Sequence, residues 1–218
     1  SKGNLSKYKN YKIIHLYVFI NGFFIAGLIE ELIKGFLVQY CVKLYLPHKN
    51  YLNRNNIKSF TWIGLSIGLG FGTIEGIIYT CIYTYDLKFI EQFQVFLIRI
   101  FIAIPFHSIL GIIWGIMYAK KQCCNYNITW LKMGYIQIIL HGIYDVAEME
   151  LGILINNETK SVLIGLILAL LYVLLCGIYA YKYEYQKITS NIDGNRQFIP
   201  EIDEYDDPES MVEIEQNL

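Results

Sequence analysis

The sequence predicts an all-α fold, a polytopic transmembrane helical bundle of about five or six spans, and two observations carry that prediction. Hydrophobic residues make up 55% of the 218 and charged residues only 17%, with a mean hydropathy of +0.36, an unusual balance for a soluble domain of this size. The apolar residues also gather into runs of about twenty, the length a helix needs to cross roughly 30 Å of hydrocarbon at about 1.5 Å per residue.

Residues 13–46 form an apolar stretch containing Glu30, Glu31 and Lys34, longer than one perpendicular span requires. Asn21-Gly22 is expected to bend or break it, which makes 23–46 the first firm span and 13–20 either its tilted continuation or the remnant of a preceding hairpin. Residues 47–58, rich in Asn, Lys and Arg, read as a loop. A second span at 59–85 carries Glu75 among Gly64, Gly68, Gly70, Gly72 and Gly76, small residues that permit close helix approach. Residues 86–104 are apolar but interrupted by Lys88, Glu91, Gln92, Gln94 and Arg99, a pattern that suits a helix lying in the interface. Pro105 then starts a third span reaching about residue 119, with His107 in its first turn. A polar loop at 120–127 leads to a fourth span, 128–149, holding His141 and Asp145. A loop at 152–160 precedes a fifth span, 161–183, with no ionisable residue before Lys182.

The chain thus divides into a polar segment at 1–12, a membrane domain at 13–183 and an acidic tail at 184–218. That tail holds ten Asp or Glu against Lys187 and Arg196, which predicts a solvated, disordered extension although the overall net charge is only −1. The five cysteines, Cys41, Cys81, Cys123, Cys124 and Cys176, have neither the number nor the spacing of a disulfide framework or CxxC site. The adjacent Cys123 and Cys124 are open to palmitoylation. The first residue is Ser and no signal peptide follows, so the sequence reads as a fragment. No internal repeat, Gly-rich phosphate loop or basic, aromatic-interleaved patch is present, which argues against nucleic acid as a partner.

Chemistry is carried by the ionisable residues inside the spans. Each costs about 2.5–3.5 kcal/mol at the centre of a spanning helix, so each must face another polar group, an ion or a wet cavity. Glu30 with Lys34 and His141 with Asp145 stand at i, i+4, on one helix face. Phe71 with Glu75 and His107 with Gly111 share the spacing, pairing an ionisable residue with an aromatic wall or a gap for a neighbour. If consecutive spans alternate in direction, Glu30 and His107 lie early in helices leaving one side, while Glu75, His141 and Asp145 lie late in helices returning to it. All fall in the same third of the membrane. Two carboxylates and two imidazoles at one depth can hold and activate water, by general base catalysis or through a metal ion. Lys34 would help to keep Glu30 ionised. Taken alone, Glu30 with Lys34 and His141 with Asp145 read equally well as a structural ion pair or hydrogen bond, whereas Glu75, with no cationic neighbour in its own span, does so less readily.

Glu30-Glu31-x-x-Lys34, Phe71-x-x-x-Glu75, His107-x-x-x-Gly111 and His141-x-x-x-Asp145 resemble the four ordered motifs of the PrsW family, polytopic membrane proteases related to the CAAX prenyl endopeptidases. The resemblance implies an intramembrane endopeptidase acting on membrane-anchored protein substrates within the lipid bilayer. It implies Glu30 as general base, Glu31 and Glu75 as its assistants, and His141 with Asp145 as oxyanion stabilisers. His107 is a ligand or an acid. Zinc is the candidate cofactor, with His107, His141 and Glu75 as ligands, and a metal-free glutamate mechanism fits equally. The motifs cover residues 30–145, and some N-terminal spans of the family pattern are lacking.

A transporter or ion channel could use the same intramembrane carboxylates and histidines, but no inverted repeat or matching broken helices support it. A non-catalytic binding relative would not need all four motifs. Ten Lys or Arg on the side opposite the site, against seven on the site's own side, place the site toward the extracytoplasmic or lumenal face and the tail in the cytosol. Asn157 is then a glycosylation candidate in a eukaryote.

Overall fold

Thirty-four nearly unbroken apolar residues fold as one helix, α1 (Lys12–Tyr45), in the computed structural model, which describes residues 12–46, 54–123, 128–154 and 158–195. Four more long helices follow. These are α2 (Arg54–Ile78, continued by a widened turn at Tyr79–Tyr83), α3 (Phe89–Gln122), α4 (Trp130–Leu154) and α5 (Glu158–Tyr179, continued through Ala180–Tyr185 into Gln186–Asn195). Helices α1, α2, α3 and α5 are each long and apolar enough to cross a membrane. Helix α4 matches their length but carries Lys132, Asp145, Glu148 and Glu150. The chain is an integral, multi-pass membrane protein, all-α among its described residues.

Two expected interruptions are absent. At Asn21-Gly22 the helix widens into π-type turns that last to Glu30 instead of breaking. The Asn21 amide is satisfied locally by donating to the Tyr17 carbonyl at 3.0 Å. Gly22 serves packing, since a Cβ there would lie 2.6 Å from Val146 of α4. Residues 86–104 are likewise not a separate interfacial helix, because α3 runs through Pro105 without a stop. A proline removes one backbone donor and crowds the carbonyl four residues earlier. The widened turn at Arg99–Ala103, just ahead of it, relieves both within a continuous helix. The polar residues near its start cap it, with the Lys88 N–H donating to Glu91 at 3.1 Å and the Gln92 amide to the Thr84 carbonyl at 2.7 Å.

Helices α2 and α3 pack antiparallel, and glycine sets how closely. A Cβ on Gly64 would fall 2.1 Å from the Gly111 carbonyl oxygen, and one on Gly68 would fall 2.3 Å from that of His107. The N-terminal half of α1 packs antiparallel on α4, where Gly142 accepts the Phe23 ring. Helix α3 is the central element and contributes the buried Phe106, Leu110, Trp114 and Tyr118. Large apolar residues such as Phe36, Trp62 and Leu131 point outward, as a hydrocarbon surround requires.

Helix α5 continues past residue 183, and Glu184 is buried there against Lys120 of α3 while accepting the Tyr179 hydroxyl at 2.7 Å. Residues 184–195, assigned from sequence to the tail, are therefore helical. The remaining tail at 196–218, the polar start at 1–11, Cys124 and Asn157 lie outside the described residues.

Candidate active site

Glu31 and Lys34 stand one helical turn apart on α1 and are fully enclosed, both at 0% exposure. The Lys34 Nζ lies 2.5 Å from Glu31 Oε1, so the lysine pairs with Glu31 and not with Glu30, as the i, i+4 spacing had suggested. Glu30 closes the widened stretch of α1, where α-helical phase no longer predicts which side chains share a face. Glu31 Oε1 also contacts His141 Nδ1 of α4 at 2.8 Å, and its Oε2 accepts the Trp114 indole N–H of α3 at 3.1 Å. Three helices thus converge on one carboxylate. With lysine, imidazole and indole all turned toward it, Glu31 is a satisfied buried anion.

Lys34 reaches onward to the Nδ1 of His107 on α3 at 2.8 Å and lies 4.5 Å above the centre of the Phe71 ring on α2. The same ring stands 5.6 Å from that of His107. Its other nitrogen, Nε2, is 2.5 Å from Glu75 Oε2, and Glu75 Oε1 accepts a hydrogen bond from Arg99 at 3.0 Å. The two imidazoles stand edge to face with centroids 5.0 Å apart. Gly111 contributes by letting α2 approach α3 closely enough for Glu75 to meet His107.

Glu30 differs from its neighbour in sequence. Its Oε2 is buried yet has no hydrogen-bond partner among the described residues, the nearest basic atom being His141 Nε2 at 3.7 Å. Asp145 Oδ2 approaches the same nitrogen at 3.4 Å. One donor atom each from Glu30, His107 and His141 fall within 4.8 Å of one another. Glu75, placed with the two histidines in the sequence reading, faces His107 and Arg99 from the edge of that trio. Glu30, Glu75, Arg99 and Asp145 retain 18–25% side-chain exposure, whereas both histidines keep 3% and Glu31 and Lys34 none. The cluster is therefore closed around Glu31, Lys34 and the two histidines and partly exposed at Glu30, Glu75, Arg99 and Asp145.

Sequence reasoning missed Arg99 and Trp114. Arg99 falls in a stretch that reads from sequence as an interfacial helix, because its polar neighbours resemble a surface. Trp114 gave no signal, since an indole donor in an apolar run looks like any other core aromatic.

A multi-helix membrane fold with a carboxylate–imidazole cluster enclosed between spans defines a class of membrane-embedded proteins with acid–base or metal-binding capacity. A family model described as PrsW family intramembrane metalloprotease matches residues 11–176, and the chain belongs to that family. It is similar to Protease PrsW of Oceanobacillus iheyensis, 28% identical over 130 residues that cover 59% of this chain and 54% of that protein. Protease PrsW of Bacillus subtilis is 25% identical over 130 residues, covering 58% and 53%. The chain spans about half the length of the curated relatives it matches. No solved structure matches it.

Proposed function

We propose that the chain is an intramembrane endopeptidase that hydrolyses peptide bonds of membrane-anchored proteins with water activated at Glu30, His107 and His141. The observation that carries this reading is the buried Oε2 of Glu30, which stands beside two imidazoles without a hydrogen-bond partner among the described residues. A buried carboxylate oxygen without a donor is costly in an apolar surround and is kept for something that is to bind there.

The donors suit a divalent ion. Glu, His and His form a set of zinc type, and Glu31 holds His141 through Nδ1 so that Nε2 turns toward Glu30. Glu30 and His141 would hold the ion, joined by His107 once a ring nitrogen is released from Lys34 or Glu75, and the ion when bound would supply positive charge to polarise the attacking water and the scissile carbonyl. The remaining steps belong to the chain itself. Glu30 accepts a proton from the water on the carboxylate oxygen that does not hold the ion. Glu31 and Trp114 fix the orientation of His141, Glu75 fixes that of His107, and Lys34 balances the enclosed negative charge. Asp145, beside His141 Nε2, is placed to hand a proton to the leaving amine. The buried residues behind the cluster keep bulk water out, and the excess of basic residues opposite the site favours an opening toward the extracytoplasmic side.

Glu30→Gln tests the reading, because it preserves shape and removes the base. Cleavage of a single-span reporter in proteoliposomes is expected to fall by about 10²–10⁴-fold. Undiminished cleavage by a folded Glu30→Gln protein overturns it. A transporter or binding protein would show no cleavage with either side chain.

A further inference from the structure

Arg99 begins the widened turn of α3, and that turn determines where the side chain points. In a regular α-helix, at about 100° per residue, positions eight apart differ by roughly 80° around the axis. One extra residue in a π-type turn reduces the difference to roughly 20°, which brings Arg99 onto the face of His107. The guanidinium carbon then lies over the Tyr79 ring, 3.6 Å from its centre, and the group donates through Nη1 to Glu75.

A guanidinium carries five N–H donors in a rigid fork. Among the described residues the bond to Glu75 is the one hydrogen bond this group makes, and 20% of the side chain is exposed. At membrane depth unmet donors are costly, so a partner is expected there. Its charge can be argued. Glu30, Glu75 and Asp145 are also partly exposed, with Glu148 within reach of the Arg99 charge, against the two cations Arg99 and Lys34. A further carboxylate would be repelled, whereas a neutral acceptor would not.

We propose that Arg99 is a substrate-binding residue whose free N–H donors receive a main-chain carbonyl oxygen of the peptide lying against the site. The inference rests on the endopeptidase reading and adds the point at which the substrate backbone is held. A spanning helix has its carbonyls occupied internally, so this docking selects a stretch of substrate that is unwound near the cleaved bond. Tyr79 and Glu75 hold the fork in place, so little conformational freedom is lost on binding.

The test uses the full chain in proteoliposomes and the single-span reporter that it cuts fastest. Arg99→Lys keeps a cation beside Glu75 and loses the planar fork, so KM is expected to rise about tenfold while kcat stays within about threefold. In a second arm, amide carbonyls flanking the cleaved bond are replaced one at a time by thioamides, which are weaker acceptors. One replacement is expected to raise KM with the Arg99 protein and to add nothing in the Arg99→Lys protein. An unchanged KM in Arg99→Lys, or thioamide effects of equal size in both proteins, overturns the proposal. An intact chain that cuts no reporter instead overturns the endopeptidase reading itself.

Discussion

Glu30 and Glu31 are adjacent, chemically identical and structurally opposite. Glu31 is met by Lys34, His141 and Trp114, while Glu30 keeps a buried oxygen unmet among the described residues. The sequence showed both as acids inside a span and could not rank them, because the ranking depends on donors from α3 and α4 and on the widened turns before them. The indole of Trp114 offers a prediction that separates orientation from chemistry. Trp114→Phe retains an aromatic ring but leaves Glu31 Oε2 without its donor, at a cost of about 1–2 kcal/mol as judged from polar contacts between membrane helices. A lower unfolding temperature in detergent is expected, together with a reduced kcat, since Glu31 then holds His141 less firmly. Unchanged stability would mean that the indole hydrogen bond is energetically idle.

At the scale of elements, glycine decides whether α2 and α3 can bring Glu75 to His107. Gly64 and Gly70 are both helical and both in α2, and from sequence they are equivalent. In the fold, a Cβ on Gly64 meets the Gly111 backbone at 2.1 Å, while one on Gly70 meets nothing within 4 Å. Gly64→Ala is accordingly expected to wedge the pair apart at a cost of about 2 kcal/mol or more, with loss of cleavage. Gly70→Ala is expected to be neutral or to stabilise by up to about 1 kcal/mol through helix propensity. Thermal unfolding of the two variants side by side checks this, and equal sensitivity would contradict the packing described. Run length made the spans legible, and i, i+4 spacing made His141 with Asp145 legible. The continuity of α1 and α3 was hidden, because Asn21-Gly22 and Pro105 are ordinary helix breakers unless widened turns absorb them. The same widening hid the Arg99–Glu75 pair, whose partners come from separate helices and have no shared period to reveal them.

At the scale of the whole molecule, four antiparallel helices supply the cluster, and none of them carries a complete donor set. Glu30 comes from α1, His107 from α3 and His141 from α4, with Glu75 added from α2. Ion binding should therefore report on assembly of the bundle as well as on chemistry. Purified protein is expected to bind about one zinc per chain, with unfolding shifted upward in its presence, because an ion that binds only the folded state stabilises it by mass action. His141→Ala removes a ligand and is expected to abolish both binding and shift. Asp145→Asn leaves the Glu30, His107 and His141 donors in place and is expected to keep the ion while losing cleavage. Stoichiometry by elemental analysis and unfolding in detergent with and without zinc measure the two effects independently of any substrate. If the intact chain binds no divalent ion and yet cuts a reporter, the same three side chains work through acid–base chemistry alone, with Glu30 still the base and the histidines as donors to the developing oxyanion.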